Sequence, residues 1–197
     1  MSFIGRLFGR RPADPGEEMI KFLSDKSLDD RRFVAGLLYG GPYSLKVYKW
    51  VLSRADCDKG TASMLLWGGG VPESLISGPD RFPMNDEMKK ELIAFIVDRW
   101  RNDLFAPAVF QWDTRDFTKP YRSELKKKGL QGQDPFMIPE EAWQPIKGRE
   151  PQRSEAVNYH APENRLADLL NPLRLADLAA INPKDWEPVR RESLGLD

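Results

Sequence analysis

The chain has 197 residues, enough for one domain with a hydrophobic core, either alone or with an appended segment. Its 30 basic and 30 acidic residues cancel, so no global electrostatic field draws the chain to nucleic acid or to an anionic membrane. A single cysteine, Cys57, excludes an intramolecular disulfide and a zinc site built on several cysteines. We therefore expect a cytoplasmic protein that does not bind nucleic acid.

Residues 1–16 are expected to form a leader and a linker. No apolar run reaches the roughly 18 residues that a transmembrane helix requires, and the apolar region at the N-terminus is too short for a signal peptide. Residues 1–11 place four apolar side chains opposite three arginines, a pattern that also fits a helix lying on a membrane surface. Because two glycines interrupt this short segment, a frayed leader is favoured and peripheral membrane association is the alternative.

Residues 17–106 predict a helical core domain, because apolar residues recur three and four positions apart in successive segments. Short loops between the first four helices favour antiparallel neighbours and hence a compact antiparallel bundle of helical hairpins. The third helix has an apolar surface wide enough to be covered on more than one side, and the fifth is expected to be central. Residues 68–83 are expected to be mostly loop. The predicted helices open near residues 17, 27, 43, 56 and 85.

Residues 55–70 combine a helix N-cap, an apolar run and a signal that ends the helix. Asp56 or Asp58 can accept hydrogen bonds from the first free backbone N–H groups, and three glycines follow the apolar residues. The small residues after the cap would let this helix pack closely on the helix before it. The predicted structural motif consists of Asp56, Cys57, Asp58, Gly60, Thr61 and Trp67.

The run C-D-K-G-T-A at residues 57–62, followed by an apolar stretch that ends at Trp67, resembles the signature of a small bacterial family known as domain of unknown function 4274. In that family a C-D-x-G-T-A run follows helices rich in aromatic residues. The likeness covers residues 19–76. The resemblance implies a bacterial, cytosolic helical domain and transfers no catalytic residue to this chain.

The sequence predicts no catalytic residue, no cofactor and no metal site. Cys57 and His160 are the only cysteine and the only histidine, so a thiol nucleophile with a histidine base would have to unite distant parts of the chain. Asp56 and Asp58 disfavour a thiolate at Cys57. The sequence has no Glu-x-x-His, calcium loop, G-x-S-x-G turn or phosphate loop. An enzyme that uses Cys57 or a carboxylate pair is therefore an alternative and not the leading hypothesis.

Residues 107–197 contain ten of the sixteen prolines and are expected to form an irregular extension of short helices. Residues 109–112 predict a brief strand, and residues 118–129 predict a short basic helix. A five-residue run, R-L-A-D-L, occurs at residues 165 and 174 and predicts a string of one-turn and two-turn helices. Segments so short are marginal alone, so they must pack on the core or on a partner.

The aromatic residues of this extension carry the functional hypothesis. Trp112, Trp143 and Trp186 lie where core helices are scarce, and tryptophan is enriched in binding hot spots. They either pin the extension onto the core, which is favoured, or contact a partner. Tyr121 lies among basic residues, for which a solvent-exposed helix is favoured over a nucleic-acid face. The predicted partner-binding residues are these three tryptophans and Tyr121, in a non-enzymatic immunity or accessory protein that occludes another protein.

Overall fold

The computed structural model describes residues 14–38, 40–68, 71–77, 84–152, 154, 157 and 165–180. Most of these residues are helical, which confirms the predicted mainly α fold. Within them, no helix has the length and apolarity needed to cross a membrane. The elements are α1 (Pro15–Leu23), α2 (Leu28–Leu37), α3 (Pro42–Ser53), α4 (Lys59–Trp67), α5 (Val71–Ser77), α6 (Asp86–Arg101), α7 (Arg115–Lys127), a 3-10 turn (Glu140–Trp143) and α8 (Arg165–Ala180).

Helix α3 lies at the centre of the described fold and contacts α1, α2, α4, α6 and α8. It buries Val47, Tyr48 and Leu52, which do not share one narrow stripe. The prediction that this helix is covered on more than one side is confirmed. Helix α6, also predicted to be central, contacts α3, α4 and α5 and buries Ile93 and Ile96.

Side-chain caps mark helix starts that the sequence predicts. The Ser27 hydroxyl accepts a hydrogen bond from the backbone N–H of Asp30 at 3.1 Å. The Asn85 side chain accepts one from the N–H of Met88 at 3.0 Å. Each bond satisfies a donor that has no partner inside its own helix, so these starts are set by local chemistry.

The described part of the proline-rich half packs on the same core as the first half. Tyr121, Leu125 and Ala142 belong to one buried apolar cluster with the side chains of α1 to α6, and so do Leu166 and Leu170 of α8. Helix α7 contacts α5, and helix α8 contacts α1 and α3. These residues of the predicted extension therefore pack on the core.

The predicted string of short helices after residue 165 is wrong, because α8 is one helix of 16 residues. Pro172 lies inside it and removes one backbone hydrogen bond, which ordinarily ends or kinks a helix. The buried side chains of Leu166, Leu170 and Leu173 pack on the core and offset this loss. The repeated run therefore belongs to a single helix.

Three other local predictions also need correction. Residues 71–77, expected in a loop, form α5 and bury Val71 and Ser74 against the core. Helix α7 begins at Arg115, three residues earlier than predicted, and contains Pro120 in its first half. Residues 109–112 form isolated β-bridges to residues 146 and 149 instead of a regular strand. Tertiary packing decides each of these cases, since the local propensities are weak.

Candidate functional site

Asp58, at the start of α4, joins the two halves of the chain. Its buried carboxylate accepts hydrogen bonds from the backbone N–H groups of Gly60 at 3.2 Å and Thr61 at 3.0 Å, which caps the helix. The same carboxylate accepts from the N–H groups of Val109 at 2.8 Å and Phe110 at 2.9 Å. One side chain therefore holds both the helix start and the segment that leads into the second half.

Asp56 does not cap α4, although the sequence left that alternative open. Its carboxylate forms an ion pair with Arg31 of α2, whose guanidinium lowers the pKa of Asp56 against the opposing effect of burial. The backbone around Asp58 also pairs with Ala106. The Ala106 N–H donates to the Cys57 carbonyl at 2.9 Å, and the Lys59 N–H donates to the Ala106 carbonyl at 3.1 Å.

Two glycines, Gly60 and Gly148, pack directly against the backbone of residues 109–111. A Cβ on Gly60 would lie 2.0 Å from the carbonyl oxygen of Phe110, and a Cβ on Gly148 would lie 2.5 Å from its carbonyl carbon. No side chain fits at either position without moving backbone. The sequence predicts that Gly60 lets α4 pack closely on the preceding helix. Gly60 is closely packed, but the nearest atoms belong to the Phe110 backbone.

Cys57 is fully buried in the apolar core. Burial raises the pKa of its thiol to about 12, and the charge of Asp58 adds to that effect. A thiolate nucleophile is therefore strongly disfavoured at neutral pH. His160, the base that a thiol mechanism would need, lies outside the described residues. Among the described residues, no three His, Cys, Asp or Glu side chains converge as a metal site would require.

Arg32 of α2 is a buried cation that the sequence pattern does not reveal, because an arginine in an amphipathic helix is expected on the exposed face. It donates from Nη2 to the Gln111 carbonyl at 2.9 Å. Its guanidinium lies 4.9 Å from the centre of the Phe110 ring and 5.9 Å from that of Trp112. Burial lowers the pKa of Arg32. Arg32 of α2 thus contacts the same segment that Asp58 holds.

A groove of about 880 Å³ opens between α2, α4 and the loops around residues 112 and 147. We name it the Trp112 groove. Trp112 is half-buried on one wall and stacks on Phe117 with 5.6 Å between ring centres. The groove is lined by apolar side chains beside exposed charges. Its lining includes Phe33, Leu37, Met64, Trp112, Ile146 and Lys147.

Trp143 belongs to a cluster of three aromatic rings under α7. Its ring centre lies 5.2 Å from that of Trp67 and 5.4 Å from that of Tyr121. The Trp67 indole N–H donates to the Ala142 carbonyl at 2.7 Å. Trp67, predicted as part of the structural motif, therefore anchors the 3-10 turn that carries Trp143.

Asp134 organises the loop that follows α7. Its carboxylate accepts from the Tyr121 hydroxyl at 2.6 Å and from the backbone N–H groups of Phe136 at 3.1 Å and Ile138 at 2.6 Å. Burial and the Asp134 charge raise the pKa of Tyr121, so the phenol keeps its proton and remains a donor. The sequence contains no local signal for this arrangement, because it pairs residues on a helix and a separate loop.

A second opening, of about 710 Å³, lies between α7, this loop and the 3-10 turn. We name it the α7 cleft. Trp143 is half-buried at its wall, and the Arg122 guanidinium lies over the Trp143 ring at 5.1 Å from its centre. The cleft has basic residues on one wall. Its lining includes Lys119, Arg122, Lys126, Asp134, Ile138 and Trp143.

The predicted partner-binding residues have different outcomes. Trp143 packs against the core and lines the α7 cleft, whereas Trp112 stacks on Phe117, which packs against the core, and lines the Trp112 groove. Both interpretations of these tryptophans therefore fit. Tyr121 is fully buried, which contradicts the prediction that it contacts a partner directly. Its ring supports Trp143 instead, because it lies on the inner face of α7. Trp186 lies outside the described residues.

Comparison of the chain with models of known protein families, with curated proteins and with solved structures finds no match. The resemblance of residues 57–62 to domain of unknown function 4274 therefore stays a prediction, and no residue role is transferred from a relative.

Proposed function

We propose that this chain is a non-enzymatic, cytoplasmic protein-binding protein, of the immunity or accessory kind, that occludes a partner protein. One observation carries the proposal: Trp112 and Trp143 are both half-buried, and they line the Trp112 groove and the α7 cleft respectively. A tryptophan that is fixed on one side and accessible on the other gives a large contact area at a low entropic cost, as binding hot spots do.

The chemistry around Cys57 supports this proposal over the enzyme alternative. The thiol is buried, and its pKa is raised to about 12, so it is neither accessible nor ionised at neutral pH. Of the two carboxylates that flank Cys57, Asp58 accepts from four backbone N–H groups and Asp56 is paired with Arg31. We therefore assign structural roles to Cys57 and Asp58. The alternative of membrane association depends on residues 1–11, which lie outside the described residues.

The proposal is tested by using the tagged full chain as bait in a lysate of its native host. Lys147→Glu changes the Trp112 groove, and Arg122→Glu changes the α7 cleft, while Lys128→Glu makes the same type of change at the C-cap of α7, outside the cleft. We expect wild type and Lys128→Glu to retain one defined protein. At least one of Lys147→Glu and Arg122→Glu should retain about tenfold less of that protein.

Thermal unfolding of every variant checks that the fold is intact. Two results would overturn the proposal. One is a chain that stays monomeric and retains no protein. The other is equal retention by wild type and by both cleft variants.

A further inference from the structure

The α7 cleft has cations that the described residues leave unpaired. Lys119, Arg122 and Lys126 are three and four positions apart on α7, all three are exposed, and all three line the cleft. Within the described part of the chain, none of them forms an ion pair with a carboxylate. By contrast, Arg115 and Lys127 of the same helix are paired with Asp113 and Glu124.

The acidic residues of the cleft do not cancel this charge. The Asp134 carboxylate is committed to the Tyr121 hydroxyl and to two backbone N–H groups of its own loop. Glu140, on the 3-10 turn, is exposed at the lining. The lining therefore holds three cations against two carboxylates, and this positive excess favours a ligand that carries several negative charges.

Arg122 lies over an aromatic ring that is itself fixed in place. The Trp143 indole N–H donates to the Ile138 carbonyl at 3.1 Å, and the Trp143 carbonyl accepts from the Thr114 hydroxyl at 2.9 Å. A guanidinium stacked on an aromatic ring keeps its in-plane N–H donors free to bind both oxygens of a carboxylate. This arrangement suits a carboxylate ligand and reduces the entropic cost of binding it.

The same stacking disfavours a nucleic-acid ligand. Trp143 is half-buried against Trp67 and Tyr121, and Arg122 lies over its ring, so a nucleobase would have to displace the guanidinium in order to stack there.

We propose that the α7 cleft binds an acidic segment of the partner protein, with carboxylates on Arg122, Lys119 and Lys126. This inference rests on the proposed protein-binding function and names the chemistry that the partner presents. The segment needs acidic side chains a few residues apart, because the three cations are spread along about two turns of α7.

Fluorescence anisotropy of the full chain with labelled hexaglutamate tests the inference, with hexaglutamine as the uncharged control peptide. We expect hexaglutamate alone to bind, and to bind several-fold more weakly when salt rises from about 50 to about 300 mM. Arg122→Glu should weaken binding by about tenfold, and Arg122→Lys by about threefold because the fork geometry is lost. Lys128→Glu should change binding by less than about twofold.

Three results would overturn the inference. The first is no hexaglutamate binding at peptide concentrations up to about 1 mM. The second is equal binding by wild type and Arg122→Glu. The third is tighter binding of an oligothymidylate than of hexaglutamate, with the same loss in Arg122→Glu, which would assign the cleft to nucleic acid.

The lysate experiment separates the two proposals. If wild type retains a protein partner and only Lys147→Glu loses it, the protein-binding function stands and the acidic segment is wrong. If hexaglutamate binds as expected but no protein is retained, the protein-binding function fails.

Discussion

Gly60 shows how one residue can act on both halves of the molecule. Its position near the start of α4 puts it against the Phe110 carbonyl, where a Cβ would lie 2.0 Å away. We expect Gly60→Ala to lower the free energy of unfolding by about 2–3 kcal/mol, because the clash is with backbone and cannot be relieved by a rotamer change. Urea denaturation followed by circular dichroism measures this difference.

Gly36→Ala is the matched control for Gly60→Ala. Gly36 lies in α2, where an added Cβ would make only ordinary contacts with Met64, 3.8 Å away. Alanine is the better helix former, so this variant should be stabilised by up to about 1 kcal/mol. If both variants were equally stable, residues 109–111 would be free to move, and Gly60 would not fix them.

At the scale of elements, Asp177 links helix α8 to the start of α3. The buried Asp177 carboxylate accepts from the backbone N–H groups of Tyr43 at 2.7 Å and Ser44 at 3.2 Å, and from the Ser44 hydroxyl. The N-cap of α3, Gly41, has no side chain to do this, so α8 supplies the cap from outside the helix. Because this pair is 133 positions apart, no local pattern in the sequence predicts it.

Asp177→Ala should therefore cost about 2–3 kcal/mol of unfolding free energy, since buried N–H groups would lose their acceptor. Burial raises the pKa of Asp177, so ionisation of this carboxyl costs more in the folded protein than in the unfolded chain. Asp177→Asn keeps one acceptor oxygen and removes that buried charge, and it should lose less than Asp177→Ala. Equal losses in urea denaturation would show that the charge, and not the acceptor, matters.

At the scale of the whole molecule, one ion pair ties α2 to the loop around residue 149. Asp29 and Arg149 meet with two N–O distances of 2.6 and 2.7 Å, and this contact lowers the pKa of Asp29. A carboxyl group with a lowered pKa in the folded state stabilises the protein above its unfolded pKa. That stability begins to fall below about pH 4, near the unfolded pKa, and is lost as the pH falls through the lower folded pKa.

We expect Asp29→Asn to lower the unfolding free energy by about 1 kcal/mol at neutral pH, and the difference from wild type to vanish at low pH. Thermal unfolding between about pH 7 and pH 3 tests this expectation. Asp168→Asn is the control, since Asp168 is exposed and makes no ion pair with another described residue. A difference from wild type that persists unchanged at low pH would show that the Asp29 charge is not the cause.

Some features of the site could be predicted and others could not. The need for a small residue at Gly60 follows from a local motif, but its contact with Phe110 does not. The basic residues of α7 are visible in the sequence as a solvent-exposed helix, and they are exposed. The tertiary structure brings these basic residues into one cleft with Trp143, because a loop and a 3-10 turn fold back beside α7. They are Lys119, Arg122 and Lys126.

The sequence by itself determined the mainly helical class and several helix starts, because caps and apolar spacing act over three or four residues. The tertiary structure decided the continuous helix α8, the burial of Arg32 and Tyr121, and the positions of both clefts. These features depend on contacts between distant residues, whose energies outweigh local propensity. The run at residues 57–62 belongs to both classes, since its cap is local and the segment that it holds is remote.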